Sequence, residues 1–395
     1  MTATELAKHY ARFRVSERLL LTGHSHQAWP DIGFEAQQRA WLDAAERVDD
    51  KWERAAAIAD EVRAGFRRLL NDRDGDIALG QNTHELIVRL LSALIAFPMP
   101  HARPIRLVTT DGEFHTIRRQ LDRLAEAGIE VVKVAARPVT TLAERTAAAV
   151  DDRVACVLMS SVLFETAEIV PHLRHVAATC ERLGTTLLID AYHHLNVVPF
   201  DIEAMGLARA FVVGGGYKYC QLGEGNCFLR VPAGCELRPI ITGWFSEFAH
   251  LDAATHAREV PYGAGAARFA GATYDPTAHY RAAAVFRFHQ QVEMTPPGLR
   301  EMSQRQTRMI DRSIRALDLN PRLADVVDVP AESRAGFVAV RTPYAAMLVP
   351  RLRHRQMYVD SRGDLLRLGP APYVTDAQLT SAIHLLAEAL ENPKL

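Results

Sequence analysis

The stretch "ARAFVVGGGYKYCQLGEG", residues 208–225, runs a short apolar segment into three glycines and then sets one lysine between two tyrosines. Phe211–Val213 has the length and composition of a strand buried on both faces. Lys218 follows it in a permissive turn. A solvated lysine needs no such setting. A lysine that forms and exchanges a covalent bond with a carbonyl does, because it needs a fixed backbone and a crowded, desolvated amine.

Working outward, apolar strand-like runs alternate with helical periods. "IALG" is a strand, and the helix "THELIVRLLSAL" follows, with Asn82 or Thr83 as its cap and Glu85 in its first turn. "IRLVTTDGEF" is a strand, "HTIRRQLDRLAEAG" a helix and "IEVVKVAA" a strand. A helix at 141–150, the strand "VACVLMSSV", a helix at 171–184 and the strand "TTLLIDAYH" come next, then a short helix "DIEAMGL" before the opening stretch. Strands alternating with helices imply an α/β fold with a mostly parallel sheet covered on both faces. Upstream, residues 34–70 carry helical spacing throughout, and Trp41 and Trp52 on that stretch read as core or interface. After about residue 275 the pattern becomes two long helices, the strand "GFVAVRT", a helix near 343–355, the paired strands "MYVDSR" and "LLRLG", and a final helix from Thr375. That is a smaller α+β C-terminal domain, 276–395, after a large domain spanning 46–275.

Bulk properties narrow the function. The 395 residues hold 46 Lys+Arg against 47 Asp+Glu, a formal net charge of -1, with no basic run, so nucleic acid is not an expected partner. The longest apolar stretches are too short to span a bilayer, and the polar N-terminus lacks the apolar centre of a signal peptide. Five cysteines without a CxxC read as reduced thiols in a cytoplasmic enzyme. No HExxH, Walker loop or helix-opening GxGxxG is present, and His24 and His26 lack Cys or carboxylate companions, so no metal is expected.

Ligands of doubly wound sheets sit beyond the carboxyl ends of the strands. Four signals fall there: Asp190 with His193 in "DAYHH", Lys218, "GEF" at 112–114, and "GQNTHE" at 80–85. Each alone has an ordinary reading, as a helix cap, a core aromatic or a routine helix start. Together they match what pyridoxal phosphate requires. Lys218 would hold the cofactor aldehyde as a Schiff base, and Asp190 would keep the ring nitrogen protonated so that the ring accepts electrons from a substrate carbanion. Phe114 would stack on the ring. The backbone N–H groups of Thr83 and His84 would bind the phosphate, joined by the Tyr217 hydroxyl.

The sequence resembles, over nearly its whole length, the class V aminotransferase-like branch of the fold-type I pyridoxal-phosphate enzymes, and within it the kynureninases. The resemblance rests on "IDAYHHLNVVPFDI", the Tyr217-Lys218 pair, "GEFHTIRRQLDRLAEAGIEVVKV", "ITGWF", "RFAGAT" and "DLLRLGPAPYVTDAQL". It implies a homodimer with shared active sites and an N-terminal arm, residues 1–45, packed with the small domain. It gives Trp244 and Thr273 cofactor contacts, in relatives partly to a neighbouring subunit's phosphate. Arg367 becomes the partner of a substrate carboxylate, and the "GHSHQAWPD" loop with His26 touches substrate. Three departures concern the substrate side, one being that the kynureninase Gly-Asn-Ser-Leu-Gly segment appears here as "GHSHQAWPD". Kynureninases read Phe-Pro-Thr-Asp where this chain has Phe114-His115-Thr116-Ile117, and cysteine desulfurases carry an Asn near Leu163 or Phe164. The expected activity is kynureninase-type hydrolytic Cβ–Cγ cleavage of a small amino acid, with Lys218 removing the α-proton. The alternatives are a cysteine desulfurase or C–S lyase, an aminotransferase or other tailoring enzyme, and a non-catalytic scaffold of the same fold. Cys220 reads as a packing residue.

Overall fold

A computed structural model describes residues 1–95, 105–251 and 259–391. The N-terminal segment contributes strand β1 (Leu19–Leu20). The central sheet follows, from β2 (Asp76–Gly80), β3 (Arg106–Thr110), β4 (Glu130–Val134), β5 (Val154–Ser160), β6 (Thr186–Asp190), β7 (Phe211–Gly215) and β8 (Cys227–Val231), in the order β2-β8-β7-β6-β5-β3-β4. Neighbours are parallel except around β8, which runs antiparallel to both β7 and β2. Sequence periodicity did not separate β8 as a strand, because "NCFLRV" is one apolar run with no alternation to mark it.

Burial on both faces follows from the pleat. Leu187 and Ile189 of β6 enter one core cluster with Phe66, Val108 and Val285, while Leu188 enters the other with Leu86, Ile117 and Phe269. Successive side chains point to opposite faces, so only a run apolar at every position satisfies both layers. β3 lies between β4 and β5, so the chain reverses its direction of winding there, and the strand ends beside that reversal form a crevice.

The helical stretch at 34–70 is not continuous. It divides into helices Ile32–Arg47 and Lys51–Leu69 at Val48, whose φ is 50°. Both halves then reach the buried helix Thr277–Gln291. A Cβ at Gly33 would meet Arg281 at 3.0 Å, and one at Gly65 would meet Phe286 at 2.3 Å. Trp41 is exposed, whereas Trp52 contacts Phe245 and Tyr274. "DIEAMGL" forms turns rather than a helix: the Asp201 side chain accepts the Ala204 N–H at 2.8 Å, and Gly206 turns the chain at φ 69°.

The second sheet contains β9 (Asp325–Val326), β10 (Val338–Arg341), β12 (Asp360–Arg362) and β13 (Leu365–Leu368), while β11 (Met357–Tyr358) pairs in parallel with β1. The segment "MYVDSR" is thus divided between two partners. Leu6, Tyr10, Val15 and Leu21 share a core cluster with Leu352, Leu366 and Leu386. The N-terminal segment is pinned to the end of β13 by Gly369 N–H to Leu21 O at 2.7 Å and Gly23 N–H to Gly369 O at 2.8 Å. Among the described residues no helix is long and apolar enough to cross a membrane.

Candidate active site

A cavity of about 470 Å³ opens at the carboxyl ends of β3, β5, β6 and β7. That size suits a cofactor plus a small substrate. Thr83, His84, Phe114, Asp190, His193, Tyr217 and Lys218 all line it, so seven sequence-derived candidates from four separate segments meet in one place.

The glycines before Lys218 are required by close approach. A Cβ at Gly215 would come within 2.5 Å of the Tyr192 hydroxyl, and one at Gly216 within 2.6 Å of Leu222. The turn is closed by Gly216 N–H to Asn226 O and Leu222 N–H to Gly216 O, both 2.8 Å. Lys218 is therefore fixed at its backbone. Its Nζ lies 2.7 Å from His193 Nε2 and faces the rings of Tyr192, Phe114 and Tyr217 at 4.4, 5.2 and 5.6 Å from their centroids. Burial lowers its pKa to about 7, with the Asp190 carboxylate pulling the other way. Such an amine exists partly unprotonated at neutral pH, as covalent exchange with an aldehyde requires.

Burial drives His193 well below its ordinary range, so its ring is neutral and Nε2 accepts a Lys218 proton. Its Nδ1 is buried without a hydrogen-bond partner among the described residues. Asp190 Oδ1 accepts the Tyr192 N–H at 2.8 Å. Burial raises this carboxyl, while that N–H and Lys218 act against it. A cationic ring nitrogen is the partner that would restore full ionisation.

At the end of the cavity lined by Thr83 and His84, Asn82 caps the helix Thr83–Leu94 with its side chain on Glu85 N–H. The Glu85 carboxylate in turn takes the N–H groups of Gln81 and Asn82. Thr83 and His84 keep their N–H groups unengaged at a helix start, which is an anion-binding arrangement.

Other candidates lie elsewhere. His26 is held at the rim, its Nε2 2.9 Å from Oε1 of the cavity-lining Glu224. Arg367 is buried behind the wall, bound to Asp360 and to the Phe164 carbonyl. Trp244 is exposed on the turn Trp244–His250, outside this cavity. Thr273 lines a different cavity, of about 560 Å³, which shares Gln81 with the first. The fold of a single chain does not bring Trp244 or Thr273 to Lys218.

Sequence reasoning passed over Glu113 and Ser160. Ser160 ends β5 opposite Asp190 and lines the cavity. Buried Glu113 receives the Ser160 hydroxyl at 2.6 Å, the Ser160 N–H at 3.0 Å and the Thr110 hydroxyl at 2.6 Å. Burial raises its pKa to about 7 against those hydrogen bonds. The only signal was its place beside Phe114 in "GEF". Cys220 is fully enclosed in the core, and Cys227, which lines the cavity, is pushed up to about 12 by burial.

No family model matches the sequence. An uncharacterized aminotransferase of Bacillus subtilis is 22% identical over 349 residues, 85% of each chain. Among solved structures, a C-DES variant with glycine covalently linked to its PLP cofactor superposes with a TM-score of 0.79 at 16% identity, covering 96% of this chain and 98% of that one. The cystine C–S lyase C-DES with its product cysteine persulfide gives 0.78 at 16%, covering 95% and 98%. The cysteine desulfurase of Thermococcus onnurineus gives 0.79 at 14%, covering 98% of each. The chain has their fold. It is the fold-type I arrangement implied by the resemblance, and its mostly parallel sheet is the one expected from the alternation of strands and helices.

Proposed function

We propose that the protein is a pyridoxal-phosphate enzyme that cleaves a bond at Cβ of a small amino acid, and that C–S bond cleavage is its chemistry. The observation that carries the cofactor assignment is the desolvated Lys218 amine beside Asp190, within one cavity that also holds free N–H groups at a helix start. The bound cofactor supplies an electron sink. The chain supplies the rest. Lys218 would hold the cofactor aldehyde, exchange it for the substrate amine and accept the α-proton. Asp190 would keep the ring nitrogen protonated, and Phe114 would stack on the ring. Thr83 and His84 bind phosphate, and Arg367 binds the substrate carboxylate.

Loss of the α-proton to Lys218 allows the Cβ–S bond to break with its electron pair leaving on sulfur. Hydrolysis of the remaining fragment gives pyruvate and ammonia. Relatives of the same fold include a cystine C–S lyase and cysteine desulfurases, which favours sulfur chemistry over the kynureninase reading. Transfer of sulfur to a protein thiolate is disfavoured at Cys227, which burial keeps protonated.

Kynureninase-type hydrolysis is the second reading. Phe114 supports it, since the resemblance gives kynureninases Phe where desulfurases carry His. A homodimer is part of the proposal: Ile240, Ile241, Trp244 and Phe248 form an exposed apolar group near the loop bearing Thr273, and a second copy would cover it. Pyruvate and sulfide release from L-cystine and L-cysteine tests the first reading, and anthranilate fluorescence from L-kynurenine tests the second. Activity on kynurenine alone would reverse their order. Borohydride labelling at a lysine other than Lys218 would end the cofactor assignment.

A further inference from the structure

Arg367 is held by an arrangement that the proposed reaction does not itself require. Its Nε donates to Asp360 Oδ1 at 2.9 Å and its Nη2 to Asp360 Oδ2 at 2.5 Å. Nη1 donates to the Phe164 carbonyl at 2.5 Å. A guanidinium has five donors, so one remains on each of Nη1 and Nη2. Two such donors form a fork that fits one carboxylate. Phe164 belongs to the cavity wall, so Arg367, which does not itself line the cavity, is bonded directly to that wall from behind.

Asp360 is itself held from behind. His24 Nε2 lies 2.7 Å from Asp360 Oδ1, and the His24 ring is fully buried. Burial lowers His24 to about 4, so the ring is neutral and donates to the carboxylate through Nε2–H. Its Nδ1 has no hydrogen-bond partner among the described residues and packs on Gly369, where an added Cβ would lie 2.2 Å away. The ring therefore has no room to turn. The Phe337 ring covers both groups, 4.5 Å from the His24 ring and 5.5 Å from the Arg367 guanidinium. The N-terminal segment thus fixes His24, His24 fixes Asp360, and Asp360 occupies the Nε edge of Arg367.

We propose that His24 and Asp360 are positioning residues that set the Arg367 guanidinium edge-on, leaving its two free donors as the anchor for a substrate carboxylate. This rests on the role given to Arg367 above. A neutral group at residue 360 no longer accepts from Nε and Nη2 together, so the guanidinium loses its orientation while amine recognition at Lys218 is untouched.

The test uses the full chain loaded with pyridoxal phosphate, reading the visible band during titration with L-alanine or with ethylamine, the same amine without a carboxylate. Asp360→Asn is expected to weaken L-alanine tenfold or more and ethylamine less than twofold. His24→Ala keeps the Asp360–Arg367 pair, and threefold or greater weakening of L-alanine alone is expected. Equal losses for both ligands in either variant, or no loss in either, would overturn the proposal, since a purely structural role does not distinguish a carboxylate. Calorimetry with propionate on unloaded protein reads the fork without the cofactor. Binding by the wild type that Asp360→Asn loses supports the proposal, even where no visible band forms and the cofactor reading fails. Propionate binding of equal strength in both proteins overturns it.

Discussion

Lys218 is a destabilised residue, and the size of that effect is measurable. In the unfolded chain its amine titrates near its ordinary value of 10.5, whereas burial lowers the folded value to about 7. Between these pH values the unfolded state binds the extra proton, so stability rises with pH across the window. At about 1.4 kcal/mol per pH unit, the burden is roughly 4 kcal/mol at pH 7, roughly 3 at pH 8.5 and under about 0.5 at pH 10.5. Lys218→Met keeps the length of the side chain and removes the charge. Asp190 then loses the attraction of Lys218 and offsets part of the gain. A net stabilisation of about 2–4 kcal/mol at pH 7 is expected for the protein without cofactor. With unfolding entropy near 2.1 cal/mol/K per residue, that is a rise in Tm of roughly 2–5 °C. Scanning calorimetry of both proteins at pH 7, 8.5 and 10 gives the answer. The gain must shrink as pH rises. A difference that is constant with pH, or a variant less stable than the wild type at pH 7, refutes the assignment of Lys218 as a desolvated amine.

The buried Glu113 carboxyl makes the opposite trend: its folded value is raised from 4.5 to about 7, so the native state binds more protons in that window and loses stability as pH rises through it. Glu113→Gln should therefore gain on the wild type by up to roughly 3 kcal/mol between pH 4.5 and pH 8, as read by urea denaturation at the two pH values. Gly215→Ala drives a methyl to within 2.5 Å of the Tyr192 hydroxyl and 2.6 Å of Cys227 Sγ. Overpacking of about 1–3 kcal/mol and a weakened visible band on adding pyridoxal phosphate are expected, and wild-type values for both would contradict the packing described. Asp72 and Arg230 form a fully buried pair with Nε–Oδ2 at 2.7 Å. Asp72→Asn leaves the guanidinium uncompensated, and a loss of about 3–5 kcal/mol is expected by chemical denaturation, without a shift in the Lys218 band of the loaded protein.

Much of the site was legible in the chain because its residues sit beside strong local signals. Asp190 and Lys218 follow strands whose apolar runs are unambiguous, and Thr83 and His84 begin a helix that its capping residues announce. Glu113 was not legible, since a buried carboxyl is recognised only by its partners. One of those partners, Ser160, is 47 residues away. The break at Val48 was hidden for a related reason: helical spacing continues through it, and packing against Thr277–Gln291 decides where the helix turns.

By itself the sequence determined the alternation of elements, the depth of burial of each strand and the residue types at each strand end, all of which depend on neighbours within a few positions. The tertiary structure decided what those residues face. It gathered seven candidates into one cavity, held His26 at the rim and kept Trp244 and Thr273 away from Lys218. It also paired Arg367 with Asp360, and Asp360 with His24, which lies 336 positions away along the chain.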